Sequence, residues 1–440
     1  MGDEALPPYV TYTKHIAPLI NDHCLSCHRP NGTAPFSFTD YNEVIRKKKT
    51  IAKVVMDGIM PPWPADPSYS HFIGENVLTD LERRTIRKWV DQDCLFGDSA
   101  QLRALPKFHD LSNLGQPDLT IYLEPIEIEG NNRDKFFVVK SPIVLPKDTF
   151  IRAIEFVPGK DQIVHHLNGH LLNYDDDKKA DVRYGTYVAD EDQHPEAYLE
   201  AFESLRLFND DGSKPERVHS AVNYLPGVIG TIYPEGVGGF KINRQSALVA
   251  NDIHYAPIQK DAVDKSHYNL FFSATRPTRP TSELMLGTNG VSPILPPLVI
   301  LPDTVMTFKT SFRIPNDISV LTVNPHMHLL GQRIVSYAVT PNSDTIPLIR
   351  INRWDFRWQY FYTYQTMLKI PAQSVIVVEA TFNNTSANKN NPFDPPRKVT
   401  ERYDKSGAGM RTTDEMFQFI ITYLPYQAGD EVVSLEPEFD

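Results

Sequence analysis

The sequence predicts a multidomain chain, an all-α N-terminal domain followed by two all-β sandwiches, on three observations. At 440 residues the chain exceeds what one ordinary hydrophobic core supports. From about Tyr9 to Leu102 apolar residues recur at helical spacing. After a short polar stretch, Lys107 to Gln116, the pattern changes to alternation punctuated by prolines, with no long helical period. The expected division is 1–105, 116–278 and 279–440.

Within the first segment, Tyr12 to Asn21 reads as a helix, Tyr41 to Gly58 as a basic amphipathic one, and Thr79 to Asp91 as a third. The third carries Leu81, Ile86, Trp89 and Val90 at helical spacing, and Thr79 with Glu82 forms a capping box at its start. Just after the first helix stands Cys24-Leu25-Ser26-Cys27-His28. Cys-x-x-Cys-His is the attachment signal for c-type haem: two thiols add to the haem vinyl groups and the adjoining imidazole ligates the iron. Redox dithiols and zinc sites also use Cys-x-x-Cys, but neither needs His28, and no second cysteine pair exists to complete a zinc site. Between the last two helices, Gly58-Ile59-Met60-Pro61-Pro62-Trp63-Pro64 cannot be helical and reads as a rigid extended loop. Such loops bring a methionine to the second face of the iron, where a thioether raises the reduction potential. Met60 is therefore the expected sixth ligand, with His71, Met56 or water as alternatives. The segment resembles small single-haem cytochrome c domains of exported bacterial proteins.

Composition narrows the setting. The chain is 41% hydrophobic and 22% charged, with no apolar run long enough to span a bilayer. A net charge of −11 argues against nucleic acid or an anionic membrane surface as partner. Haem of this type is attached outside the cytoplasm. A periplasmic or otherwise exported location is therefore expected, although Met1-Gly2-Asp3 does not open a signal peptide. Two of the three cysteines go to haem, so Cys94 has no partner for an intramolecular disulfide.

Beyond residue 116, strands are expected at 118–123, 150–156, 248–255, 319–323, 374–382 and 417–424. About 320 residues of this grammar suit two sandwiches of roughly 150 each. The proline-rich stretch Arg276 to Pro302 reads as their join, and the charged stretch Asp175 to Lys214 as an excursion outside the sheets.

Histidines in this half form patterns. His326 and His328 are one apart, so on a strand they face the same side and can reach one metal. His165 and His166 are adjacent and face opposite sides, so they can share a metal only at a bulge or strand end. A further candidate ligand follows each pair at an interval of 88 residues: His254 after His166, and Met416 after His328. Three imidazoles, and two imidazoles with a thioether, suit copper cycling between Cu(II) and Cu(I). Zinc rivals copper for the first set but has little use for Met416. His15, His23, His109, His194, His219 and His267 read as ordinary core or surface residues. His170 is open, since four residues past His166 it could support a ligand.

At Val164-His165-His166, Ile253-His254-Tyr255, Pro325-His326-Met327-His328-Leu329-Leu330-Gly331 and Thr413-Asp414-Glu415-Met416 the chain resembles the copper type II, ascorbate-dependent monooxygenases. That is the family of peptidylglycine α-hydroxylating and dopamine β-monooxygenases. The resemblance implies two β-sandwiches whose two copper ions face each other across a solvent-filled cleft. His165, His166 and His254 would hold the electron-transfer copper, and His326, His328 and Met416 the copper that meets dioxygen. The sequence departs from that family in having no cysteine in this half. The arginine and tyrosine that hold a peptide carboxylate in the peptidylglycine enzyme are replaced by Asn324 and Ile420. A more neutral, small organic substrate is expected instead of a peptide. The fused haem would take the place of ascorbate, fed by an external electron donor. Two other readings stay open. One is an oxidoreductase passing substrate electrons out through the haem. The other is a copper- and haem-binding module without turnover.

Overall fold

The computed structural model describes residues 6–436 apart from 31, 107–111, 113, 191–199, 201, 227–229, 231, 235–236, 402, 405–406 and 409–412. The chain is mostly β-sheet, with a few short helices making up only 12% of it.

The helices α1 (Ala17–His23), α2 (Tyr41–Arg46), α3 (Lys48–Met56) and α4 (Asp80–Asp91) lie in the first hundred residues, after a π-helical turn Tyr12–Ile16. The expected continuous helix from Tyr41 is interrupted at Lys47, whose backbone (φ −110°, ψ 5°) leaves the helical region between α2 and α3. Capping boxes start α2 (Asp40 with Glu43) and α4 (Thr79 with Glu82), satisfying N–H groups that a helix start otherwise leaves unpaired. Their apolar faces meet in one core, with Ile16, Ile20 and Leu25 packed among Val44, Val55, Ile86 and Trp89. Cys94 is buried in that core, not exposed to a partner.

A five-stranded sheet runs in the order Val188–Asp190, Lys135–Val144, Gln245–Tyr255, Val164–Tyr174, Glu216–Tyr224. A four-stranded sheet runs Leu119–Tyr122, His267–Phe272, Thr149–Val157, Phe240–Ile242. Val139, Leu167 and Leu248 from the first meet Ile151, Ile154 and Leu270 from the second in a shared core. The C-terminal half repeats the plan. One sheet runs Ser282–Gly287, Phe417–Pro425, Ile318–Met327, Tyr362–Ile370, and the other Val305–Arg313, Val375–Asn383, Gly331–Val339, Thr345–Ile351. Their core joins Val320, Phe417 and Phe419 to Phe308, Ile334 and Val378.

Three segments differ from expectation. The 276–302 stretch is more than a join, because Ser282–Gly287 pairs with Phe417–Pro425 and edges the second half's sheet. The charged 175–214 excursion adds Val188–Asp190 to the five-stranded sheet and packs Val182, Leu205 and Leu207 on its outer face. In doing so it buries two lysines that composition alone would leave in water. Lys140 Nζ donates to the carbonyls of Tyr184 and Leu205, and Lys179 Nζ to those of Arg206 and Phe208. Lastly, the proline loop does not stay with the helices. Trp63 packs 5.7 Å from the Tyr360 ring, Phe72 sits 5.0 Å from Tyr364, and Ala65 and Phe72 belong to the core of the C-terminal half.

Candidate functional site

The strand Val164–Tyr174 pairs with Gln245–Tyr255, and the register steps from Val164↔Tyr255 to His166↔His254. His165 is the extra residue of that bulge, which turns its side chain to the face of its neighbour. Adjacency required such a device for the two rings to share a metal. The Nδ1 atoms of His165 and His166 lie 3.2 Å apart, and one nitrogen or another of His165, His166 and His254 falls within 4.8 Å of the rest. Two nitrogens bound at about 2.0 Å to one tetrahedral ion are about 3.3 Å apart, so the cluster has metal-site dimensions. Burial, and then the His166 and His254 rings, push His165 down to about 4, keeping it in the neutral form that ligates.

Sequence reading missed the residues that orient His254. Its Nε2–H donates to Asp134 Oδ1 at 2.7 Å, which leaves Nδ1 as the unprotonated nitrogen. Phe136 stacks on the same ring at 4.3 Å and 10°. Neither Asp134 nor Phe136 carries a sequence signal, since both are brought in by a neighbouring strand's start. His170, left open by sequence, bonds Asn251 Oδ1 through Nδ1 at 3.1 Å. Burial and then the Arg217 charge push it down to about 4.

In the C-terminal half, His326 lies near the end of Ile318–Met327 and His328 just beyond it, with ring centroids 5.1 Å apart and nearly perpendicular. Antiparallel pairing sets His326 opposite Gln418 and Met327 opposite Phe417. Met416, the residue before Phe417, is buried. Nδ1–H of His328 donates to Asp414 O at 2.9 Å, so Nε2 is its unprotonated nitrogen. The carboxylate of Glu415, quoted in the sequence motif but given no role there, accepts from the backbone N–H of His328 (3.0 Å), Leu330 (2.7 Å) and Met416 (3.3 Å). Trp354 adds an indole N–H to His328 O at 3.2 Å.

One histidine of each set, His166 from one half and His326 from the other, lines a single cleft of about 1020 Å³. Asn324 is turned into its wall, with Nδ2 donating to Tyr360 O at 2.9 Å. His219, read from sequence as ordinary, also lines this cleft. His109 and His194 lie outside the described residues.

The N-terminal motif is a single turn of chain, with His28 N bonded to Cys24 O at 2.8 Å. The two thiols are not joined, and burial pushes Cys24 up to about 12. Nδ1–H of His28 donates to Phe36 O at 3.1 Å, leaving Nε2 unprotonated, and the ring stacks on Phe38 at 4.5 Å. Burial raises Cys27 as well, with Asp161 of the neighbouring half adding to it. The Tyr224 and Tyr360 phenols are raised by burial first and then by charges that include Cys27. Met60 is half-buried. Its loop is held by Arg353, which donates to the carbonyls of Asp57 and Gly58 (3.3 and 2.6 Å), and by Tyr360 Oη–H to Pro62 O (2.8 Å). His71 bonds Glu75 and is exposed.

Against this geometry stands one sequence comparison. Residues 284–393 match the family model of the copper type II ascorbate-dependent monooxygenase C-terminal domain. The match spans about a quarter of the chain, includes His326 and His328, and ends before Met416. It supports copper-dependent oxygenase chemistry at a coarse level. No curated protein matches the chain. A solved structure of infectious bursal disease virus Gx strain aligns at 7% identity over 74% of this chain and 78% of that one, with a TM-score of 0.16, too low to carry any argument. Among the described residues no helix is long and apolar enough to cross a membrane.

Proposed function

We propose that the chain is an exported copper-dependent monooxygenase that hydroxylates or oxidatively dealkylates a small organic molecule, with electrons fed through its own haem. In this reading residues 1–105 form a cytochrome c domain, 116–278 a first copper domain and 279–440 a second. The observation that carries it is the shared cleft, lined by His166 of a three-histidine cluster of metal-site dimensions and by His326 of the family-matched segment.

Copper held by these residues would supply one-electron chemistry with dioxygen, enough to place one oxygen atom into a C–H bond. The chain's own part is positioning. His165, His166 and His254 would hold one ion through a nitrogen set whose tautomer Asp134 fixes. His326, His328 and Met416 would hold the other, with Asp414 and Glu415 fixing the backbone and ring of His328. The thioether of Met416 favours the reduced ion. Walls supplied by both halves would keep bulk water from the bound substrate.

The haem-binding group would comprise Cys24, Cys27 and His28, with Met60 as sixth ligand. The unjoined thiols and the Nδ1-anchored imidazole fit that group. Bound there, haem supplies electrons singly, and a periplasmic electron donor would recharge it.

The test is oxygen uptake by copper-loaded, haem-containing protein against a panel of small organic substrates. Substrate-dependent uptake with one oxygen atom in the product supports the proposal. Haem reduction by substrate without oxygen would favour the reverse-running oxidoreductase. Stoichiometric haem and copper with neither reaction would leave a redox-binding module.

A further inference from the structure

The two residues expected to ligate the haem iron are held by different parts of the molecule. His28 belongs with the helical core. Its Nδ1–H donates to Phe36 O at 3.1 Å, and its ring stacks on Phe38, which is buried with Val44, Ile86 and Trp89. Met60 leaves that core. Its N–H and that of Ile59 return to Val54 O of α3 at 3.3 and 2.8 Å, and from there to Ile73 the chain runs along the C-terminal half. Ala65 pairs with Ile351 and Phe72 with Tyr364 as isolated bridges. Asp66 N–H donates to Arg350 O and Ile73 N–H to Thr363 O, both at 2.8 Å.

The contacts on either side of Met60 come from one short stretch, Arg353 to Tyr362. Two residues after Met60, Pro62 O accepts from the buried Tyr360 Oη–H at 2.8 Å. Next to it, Trp63 lies 5.7 Å from the Tyr360 ring and edge-on to Tyr362 at 5.5 Å. Before Met60, the exposed Arg353 donates to the carbonyls of Asp57 and Gly58 at 3.3 and 2.6 Å. Pro61 and Pro62 have fixed φ, so a hold at Pro62 carries back to Met60. Tyr360 is fixed in turn. Its carbonyl accepts from Asn324 Nδ2 at 2.9 Å, on the strand Ile318–Met327 that also carries His326. A side chain locked by packing and by hydrogen bonds at both ends passes that constraint to the group it holds.

We propose that Tyr360 is a positioning residue for the sixth haem ligand, assisted by Trp63 and Arg353. Met60 then stays on the iron only while the N-terminal domain is docked on the C-terminal half. This deepens the haem reading and rests on Met60 being that ligand.

The test titrates imidazole into full-length ferric protein, read at the haem band, and measures the reduction potential beside it. Imidazole competes with Met60 for the iron, so its affinity reports the fraction of chains whose thioether is off. Met60→Ala sets the limit of an open position. Tyr360→Phe keeps the ring and removes only the bond to Pro62 O. Imidazole should then bind about two- to tenfold more tightly, and the potential should fall. Trp63→Leu, which empties the space between two tyrosine rings, should tighten imidazole by at least about tenfold. Arg353→Ala should act in the same direction by less, since Arg353 is exposed, and Arg353→Lys should recover part of the change. The control is Tyr174→Phe, which removes a buried phenol bond to Leu207 O of 2.8 Å in the other β half. It should leave both readouts at wild-type values. Equal loosening by Tyr174→Phe and Tyr360→Phe overturns the proposal, because stability alone would then explain the effect. Folded Tyr360→Phe and Trp63→Leu variants with wild-type imidazole affinity and potential overturn it too, while a Met60-dependent spectrum leaves the haem reading standing. An unchanged spectrum in Met60→Ala removes Met60 as the ligand, and the proposal falls with it.

Discussion

His165 and His166 meet Nδ1 to Nδ1 at 3.2 Å, although adjacent strand residues ordinarily point to opposite faces of a sheet. The bulge at His165 is what makes the meeting possible. Metal analysis should therefore find one covalent haem and up to two coppers per chain. His165→Ala should leave the haem intact and weaken copper at the histidine cluster by at least about a hundredfold, since one of three ligands is gone. A wild-type protein with a single copper, or with zinc preferred at both sites, would sink the two-copper assignment.

The 2.7 Å bond from His254 to Asp134 makes a subtler prediction. Asp134→Asn keeps the shape but removes the charge that fixes the tautomer, so copper affinity at this site should fall by about 10–100-fold. Competition with a Cu(I) chelator gives the constant. An unchanged affinity would show that the carboxylate merely covers the ring.

Much of this was legible in the sequence, and the reasons for the rest are physical. Thr79 and Glu82 announce the start of α4 because capping is local chemistry. The adjacent histidines demand a bulge because the strand period is two. Asp134 is 120 residues from His254, and Glu415 is 87 from His328, so no local pattern joins either pair. The 175–214 segment reads as solvated because composition counts its charges and cannot see that Lys179 is received by the carbonyls of Arg206 and Phe208, nor that the segment supplies two more carbonyls to Lys140 of the sheet. The proline loop was read for Met60 alone. Its attachment to the C-terminal half depends on Trp63 and Phe72 meeting tyrosines some 300 residues away.

For Met60, a thioether on the iron predicts a low-spin haem whose reduction potential falls when Met60→Ala opens the sixth position. Redox titration and the visible spectrum report both changes. An unaltered spectrum would move the ligand to His71 or Met56.

The same loop is clamped by Asp66, whose carboxylate accepts from Arg350 at 2.9 Å and from Asn352 at 2.7 Å. Although burial opposes it, bonds from Ser68, Arg350 and Asn352 pull Asp66 down to about 2. A depressed carboxyl contributes stability at pH values above its unfolded pKa of about 4, and that stability is lost as pH falls toward 2. Arg350→Ala should cost about 1–3 kcal/mol and remove part of this acid dependence, the bonds from Ser68 and Asn352 keeping the rest. Denaturant melts of both proteins between pH 6 and pH 2.5 give the comparison. Curves that stay parallel across that range would show that the pair does not couple to folding.

Glu415 provides the sharpest separation of the two copper sites. Fully buried, it receives three backbone N–H groups, from His328, Leu330 and Met416, and so ties two candidate ligands to one carboxylate. Glu415→Ala leaves three buried donors without an acceptor, a loss of about 3–5 kcal/mol by analogy with other broken buried networks. Glu415→Gln keeps one amide oxygen and should lose less. In both variants copper at the histidine cluster should persist, because His165, His166 and His254 hang on a different sheet. Copper at His326 and His328 should weaken even in the Gln variant, where the fold survives. Electron paramagnetic resonance of the oxidised protein resolves the two sites. Equal loss of both signals in Glu415→Gln would mean that the carboxylate supports the fold as a whole, not the placement of His328 and Met416.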